Sequence, residues 1–149
     1  TRYAVGEIVS HNMSKKPSII IEKSMEIMSY VKENTDAVVI DEVQFFDNEI
    51  VEIAEVLADR GIRVIVGGLD RDFRGNPFGP MPELLARAEF VTKLTAICVV
   101  SGLPATRTQR IINGKPALYS DPTILVGANE SYEPRSRHYH EVPGKPKKI

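Results

Sequence analysis

The sequence predicts an α/β chain with a parallel strand–helix–strand core and a small β-rich appendage. Three observations predict it. The apolar run Ala37 to Ile40 stops abruptly at Asp41 and Glu42, which reads as a buried strand with acids at its carboxyl end. A helix-period segment and a second β-branched run, Ile62 to Gly67, follow with short links, so the two strands are expected to be parallel. After Gly102 the pattern changes to short strands around Asn113-Gly114, a strong two-residue hairpin signal.

Each element has its own warrant. Residues 1–20 read as irregular, with a strand only at Ser18 to Ile21. Ser24 is a candidate cap for a helix through Asn34, with Met25, Met28 and Val31 on one face as core filler. Asp47 is a good N-cap, and Asn48 to Arg60 reads as helix. Ile50, Ala54 and Leu57 share its apolar stripe with Val51 and Ala58, and Gly61 closes it. Gly68 to Pro82 is a Gly/Pro-rich loop, Pro82 to Glu89 a short helix, and Val91 to Val100 a third strand. Ala105 to Ile112 and Lys115 to Tyr119 flank the hairpin turn, and Pro116 places the second of these at a sheet edge. Asp121-Pro122 makes a turn, Ile124 to Val126 is a brief apolar run, and Gly127 to Glu133 is polar. The expected division is an α/β domain over 1–100, a hairpin subdomain over 101–142 and a frayed Pro/Lys-rich tail over 143–149.

Composition narrows the function classes. The 149 residues suffice for one domain with a core. A net charge of −1 argues against an unspecific nucleic-acid coat, and no apolar run reaches the length of a membrane span. The single cysteine, Cys98, excludes an intrachain disulfide framework and fits a reducing, cytoplasmic setting.

The chemistry concentrates at Asp41-Glu42. Ligands of open α/β sheets gather at the carboxyl ends of strands. There one carboxylate can hold Mg²⁺ directly or through water, and its neighbour can accept a proton from an attacking hydroxyl. The alternative is a strand ending in a solvated acidic turn. Phe45, Phe73 and Phe78 also follow strand ends or sit in the Gly-rich loop, where an exposed phenylalanine is costly. They either anchor the loop on the core or line a pocket in which a flat ring can stack.

Several motifs, in order, resemble the type II thymidine kinases. They are Thr1-Arg2-Tyr3, Ser10-His11-Asn12, Asp41-Glu42-Val43-Gln44-Phe45-Phe46, the run Gly68 to Gly79, Ala105 to Arg110, and Val126-Gly127-Ala128 through Tyr132. The resemblance covers nearly the whole chain. It implies a P-loop-type, mainly parallel sheet with flanking helices, and a small lasso subdomain that closes over a nucleoside base. It implies transfer of the γ-phosphoryl of ATP to the 5′-hydroxyl of thymidine or deoxyuridine in nucleoside salvage, with Mg²⁺, in a cytoplasmic homotetramer.

Site roles follow from the same resemblance. Glu42 would be the general base. Thr1, Arg2, Asp41, Glu42, Val43 and Gln44 would lie on the ATP side, with Asp41 orienting Mg²⁺ through water. Phe45, Leu69, Phe73, Thr108, Pro122, Thr123, Ile124, Leu125, Val126, Gly127 and Tyr132 would contact the nucleoside.

The chain departs from the pattern twice. The family's Gly-Lys-Ser phosphate loop is not among these residues, and the expectation is that the working protein carries that unit ahead of Thr1. A chain lacking it would be a catalytically inactive nucleoside-binding or regulatory piece. A helicase-type ATPase fragment is the third reading, disfavoured by the neutral charge. The family also binds structural zinc through paired cysteines. Here the matching positions are Cys98, Ser101, Ser136 and Tyr139, and hydroxyls are poor zinc ligands at neutral pH. Structural zinc is therefore not expected, save as a weak mixed site through His138 or His140; His11 is remote in sequence. A lasso without metal is expected to be more mobile.

Overall fold

The computed structural model describes residues 5–9, 15–123 and 129–147, with side chains described from residue 18 onward. The chain forms two compact units, Thr1–Gly67 and Gly68–Ile149, where the sequence pattern placed its boundary near residue 100.

The first unit opens with an antiparallel hairpin of β1 (Val5–Val9) and β2 (Lys15–Ile19). Sequence patterning expected irregular chain there, with one strand starting at Ser18. A 3-10 turn, Ser24–Glu26, then runs into α1 (Ile27–Tyr30). The helix expected to reach Asn34 stops four residues earlier. Polar residues after it bond locally instead: Lys32 N–H donates to Thr35 Oγ1 at 2.9 Å and Thr35 N–H to Lys32 O at 3.1 Å.

The strand–helix–strand unit forms as expected. β3 (Ala37–Ile40) and β4 (Arg63–Val66) pair in parallel, joined through α2 (Glu49–Asp59). Asp47 caps α2 from two residues before it: its Oδ1 accepts the Glu49 N–H at 3.1 Å and its Oδ2 the Ser24 N–H at 3.1 Å. Those donors hold the Asp47 carboxyl below its ordinary range. At the other end Gly61 takes φ +81° and donates to Ala58 O, while Ile62 N–H reaches Leu57 O. This pair of bonds is a Schellman closure, whose left-handed residue favours glycine.

Ile50, Val51, Ile53 and Leu57 of α2 form the core with Ile27, Ile40, Val43 and Ile62. Leu57→Ala is expected to cost about 2–5 kcal/mol, since the side chain is fully enclosed. Val56→Ala, on the exposed face of the same turn, should cost little; chemical denaturation of the two variants checks the contrast. The opposite face of the parallel pair is open, with Val39 67% and Ile65 49% exposed.

The second unit is mostly antiparallel. After α3 (Met81–Arg87), β5 (Ala96–Ile97) pairs with β6 (Pro104–Ala105). The third strand expected over Val91 to Val100 is thus reduced to two residues. Its end is captured by a local turn: Cys98 N–H donates to Leu103 O at 2.8 Å and Gly102 N–H to Cys98 O at 2.9 Å. A strand needs an edge to extend along, and β6 offers β5 only two residues to pair with.

The hairpin forms as expected, with β7 (Arg107–Ile112) and β8 (Lys115–Pro116) joined through Asn113 and Gly114, both at positive φ. Its three-stranded sheet has the order β8–β7–β9, so Pro116 does lie on an edge strand. β9 (Glu130–Arg135) escaped the sequence pattern because it alternates no apolar residues. The Arg110–Glu130 ion pair at 2.6 Å joins it to β7, and the Arg135–Glu133 pair at 2.8 Å lies along β9 itself. The tail is tied as far as Lys145, with Tyr119 N–H donating to Pro143 O at 2.8 Å and Lys145 Nζ donating to Arg74 O.

At the coarse level the fold is α/β. Among the described residues the one parallel pairing is β3–β4.

Candidate functional site

The acid-bearing turn sits where β3 ends. Gly67 N–H donates to Ile40 O at 2.8 Å and Val43 N–H to Gly67 O at 3.0 Å, so the ends of both parallel strands fix the turn between them. Val43 is fully buried and Gln44 nearly so, while Asp41 and Glu42 face solvent. Burying the flanking residue forces the backbone to turn sharply at Glu42, which adopts φ 52°, ψ 36° in the left-handed region. A β-carbon-bearing residue held there costs about 1–3 kcal/mol, and such strain collects at functional sites.

The side chains of this turn are ordered by hydrogen bonds. Glu42 N–H donates to Asp41 Oδ1 at 2.9 Å, and Gln44 Nε2 donates to Glu42 Oε2. Gln44 therefore orients the Glu42 carboxylate. Asp41 spends one acceptor position on this bond and is otherwise open to solvent, which suits a cation held through water. Phe45, next in the turn, is 57% exposed.

The other described candidates lie in the second unit. Leu69 is 46% and Tyr132 52% exposed, while Thr108 is half-buried on β7. Tyr132 Oη donates to Glu130 Oε2 at 3.4 Å; partial burial raises its hydroxyl pKa, against the lowering effect of Arg110. Phe73 is only 5% exposed. The guanidinium carbons of Arg74 and Arg110 lie 4.5 and 5.1 Å from its ring centroid. A base could stack on that ring only if these groups moved.

Arg74 and Arg110 gather Phe73, Pro122, Thr123 and Tyr132 into one cluster. Sequence reasoning quoted both arginines within motifs and gave neither a role. The available signal was an arginine inside each of two motifs, one beside a loop phenylalanine. Thr1, Arg2, Ile124, Leu125, Val126 and Gly127, together with His11, lie outside the described residues.

The turn under Phe73 is tightly built. Asp72 Oδ1 accepts the N–H groups of Arg74 and Asn76, each at 2.9 Å. Gly75, at φ +75°, has Lys145 Nζ, His140 Cε1 and Arg107 Cδ packed 3.4–3.8 Å from where a β-carbon would sit. His140 Nε2 meets Phe73 O at 2.8 Å, which requires the proton on that nitrogen.

Burial pushes the His140 pKa below 6.5; the bond to Phe73 opposes this, while the Arg107 and Lys145 charges reinforce it. The unfolded chain therefore takes up this proton first as pH falls. The stability His140 contributes should be complete above pH 6.5 and shrink below it, until the pH passes the lowered folded value. His140→Gln should flatten that limb in urea titrations across pH.

Around Cys98, Ser101 Oγ and Ser136 Oγ are 3.5 Å apart, and Tyr139 is 44% exposed. Burial alone would push the Cys98 thiol up. Hydrogen bonds from the Ser101 hydroxyl and from the Ser136, Ser101 and Val100 backbone outweigh it and bring the thiol to about 6. One thiol with two serine hydroxyls is not a donor set that suits Zn²⁺. Among the described residues no group of three or more His, Cys, Asp or Glu is placed to hold a metal ion.

An acid pair closes one strand of a parallel pair in this α/β chain, with one of the acids in a strained turn. A family model for thymidine kinase matches residues 1–140, and the chain belongs to that family of kinases. No helix among the described residues is long and apolar enough to cross a membrane.

Proposed function

We propose that this protein is an ATP-dependent deoxynucleoside kinase that phosphorylates the 5′-hydroxyl of thymidine or deoxyuridine. The family match over residues 1–140 carries the reading, and the ordered Glu42 carboxylate supports it. Glu42 accepts the 5′-hydroxyl proton as that oxygen attacks the γ-phosphorus. The bond from the γ-phosphorus to the bridging oxygen breaks, and ADP leaves. A carboxylate suffices as base because phosphoryl transfer depends on positioning and charge stabilisation more than on basicity.

Gln44 orients Glu42, and Val43 anchors the turn. Asp41 would hold Mg²⁺, which would supply charge neutralisation at the phosphates. Thr1 and Arg2 lie on the phosphate side. Phe45 and Leu69 offer apolar surface to the pyrimidine, and Thr108, Pro122, Thr123 and Tyr132 approach base and sugar. Ile124 to Gly127 complete the lasso with backbone groups. The setting is cytoplasmic nucleoside salvage in a P-loop-type kinase core, as a homotetramer, without structural zinc.

The test is label transfer from γ-labelled ATP in the full-length protein, with thymidine, deoxyuridine and 5′-deoxythymidine as acceptors. Label is expected in the first two and not in the third. ATP turnover with no labelled nucleoside would overturn the assignment.

A further inference from the structure

We propose that Arg74 and Arg110 are positioning residues that set thymidine affinity by holding Pro122, Thr123 and Tyr132 in place. This rests on the kinase reading above and deepens it. Arg74 spends all three guanidinium nitrogens. Its Nε donates to Tyr119 O at 2.8 Å, Nη2 to Asp121 O, and Nη1 to Thr123 Oγ1 at 3.0 Å and Asp72 Oδ2 at 3.4 Å. One planar fork thus grips alternate residues of the segment 119–123 and joins them to the Asp72 turn.

Arg110 takes the next positions. Its Nη1 donates to Pro122 O at 2.5 Å, while Nε and Nη2 reach Glu130 Oε2 at 3.0 and 2.6 Å. Its guanidinium also lies 5.9 Å from the Tyr132 ring. Pro122, Thr123 and Tyr132, three proposed nucleoside contacts, are therefore held by two arginines lying over one phenylalanine.

Neither arginine is placed to touch the nucleoside. Arg110 is completely buried, and the Arg74 side chain is 17% exposed with its donors already engaged. Three of the six acceptors are backbone carbonyls, at Tyr119, Asp121 and Pro122, so the pair fixes the path of the chain there whatever side chains those residues carry. Lysine cannot reproduce this, because an ammonium is a point donor and not a planar fork.

The test uses the full-length protein with Arg74→Ala, Arg74→Lys and Arg110→Lys, at temperatures where each is folded by circular dichroism. Expected is a thymidine KM raised about tenfold in Arg74→Ala and partly restored in Arg74→Lys, with KM for ATP and kcat within about twofold. Arg110→Lys should show the same split. Amides of 118–123 and 130–135 should exchange faster in all three variants, an effect that needs no substrate.

Folded variants with unchanged thymidine KM would overturn the proposal. So would a fall in kcat at constant KM, which would mark a catalytic role. Failure of all three to fold would mark a purely structural role and also overturn it. Wild-type protein that does not phosphorylate thymidine would sink the kinase reading, while accelerated exchange would still report the clamp.

Discussion

Glu42→Gln is expected to lower kcat by about 10²–10⁴-fold with little change in stability or nucleoside affinity. The amide keeps the shape of the side chain and an oxygen that can accept from Gln44 Nε2, so the turn stays ordered. What it loses is the capacity to take a proton. Backbone geometry supplies an independent check. Glu42 sits at φ 52°, where glycine is unstrained and alanine is not. Glu42→Gly should therefore be more stable than Glu42→Ala by about 1 kcal/mol, the reverse of the usual order, with both inactive. Urea denaturation of this pair beside steady-state kinetics of the amide variant separates strain from chemistry. If Glu42→Gln keeps full activity, the carboxylate is not the base.

The legible parts of the chain were those where local chemistry and tertiary structure agree. α2 was readable because its cap, its stripe and its terminal glycine each carry a local signal that the core reinforces. The Asn113-Gly114 turn was readable because few residues tolerate two successive positive φ values. β9 was not, since a strand tied to β7 through Arg110–Glu130 looks polar until that partner is known. The run Val91 to Val100 misled for the opposite reason. Its apolar character fits a buried strand, yet pairing decides strand length and only Ala96–Ile97 finds a partner in β6.

The candidate site divides along the same line. Asp41 and Glu42 stood out because two adjacent acids close the apolar run Ala37 to Ile40. The left-handed turn at Glu42 left no mark in the sequence, since glutamate has no preference for it. Arg74 and Arg110 were hidden because half of their acceptors, the carbonyls of Tyr119, Asp121 and Pro122, can belong to any residue.

Arg110→Met should destabilise the protein by about 3–5 kcal/mol, one of the two largest effects foreseen here. Arg110 is fully enclosed and its partner Glu130 is 28% exposed, so removing the guanidinium strands a largely desolvated carboxylate. It also leaves Pro122 O without its donor and removes a cation–π contact with Phe73, worth about 0.5–2 kcal/mol. Removing both charges tells these apart. Arg110→Met with Glu130→Met should recover most of the loss, because replacing an enclosed ion pair by apolar groups of similar volume is often near neutral. Recovery should stop short by about 1–3 kcal/mol, the cost of the orphaned Pro122 carbonyl. Raising salt should change the wild-type value only modestly, since Arg110 is fully enclosed while Glu130 keeps some exposure to solvent. Double-mutant denaturation curves measure all three quantities. A single-mutant loss under about 1 kcal/mol would mean that Glu130 escapes to water without Arg110, and that Arg110 holds the sheet through Pro122 and Phe73 alone.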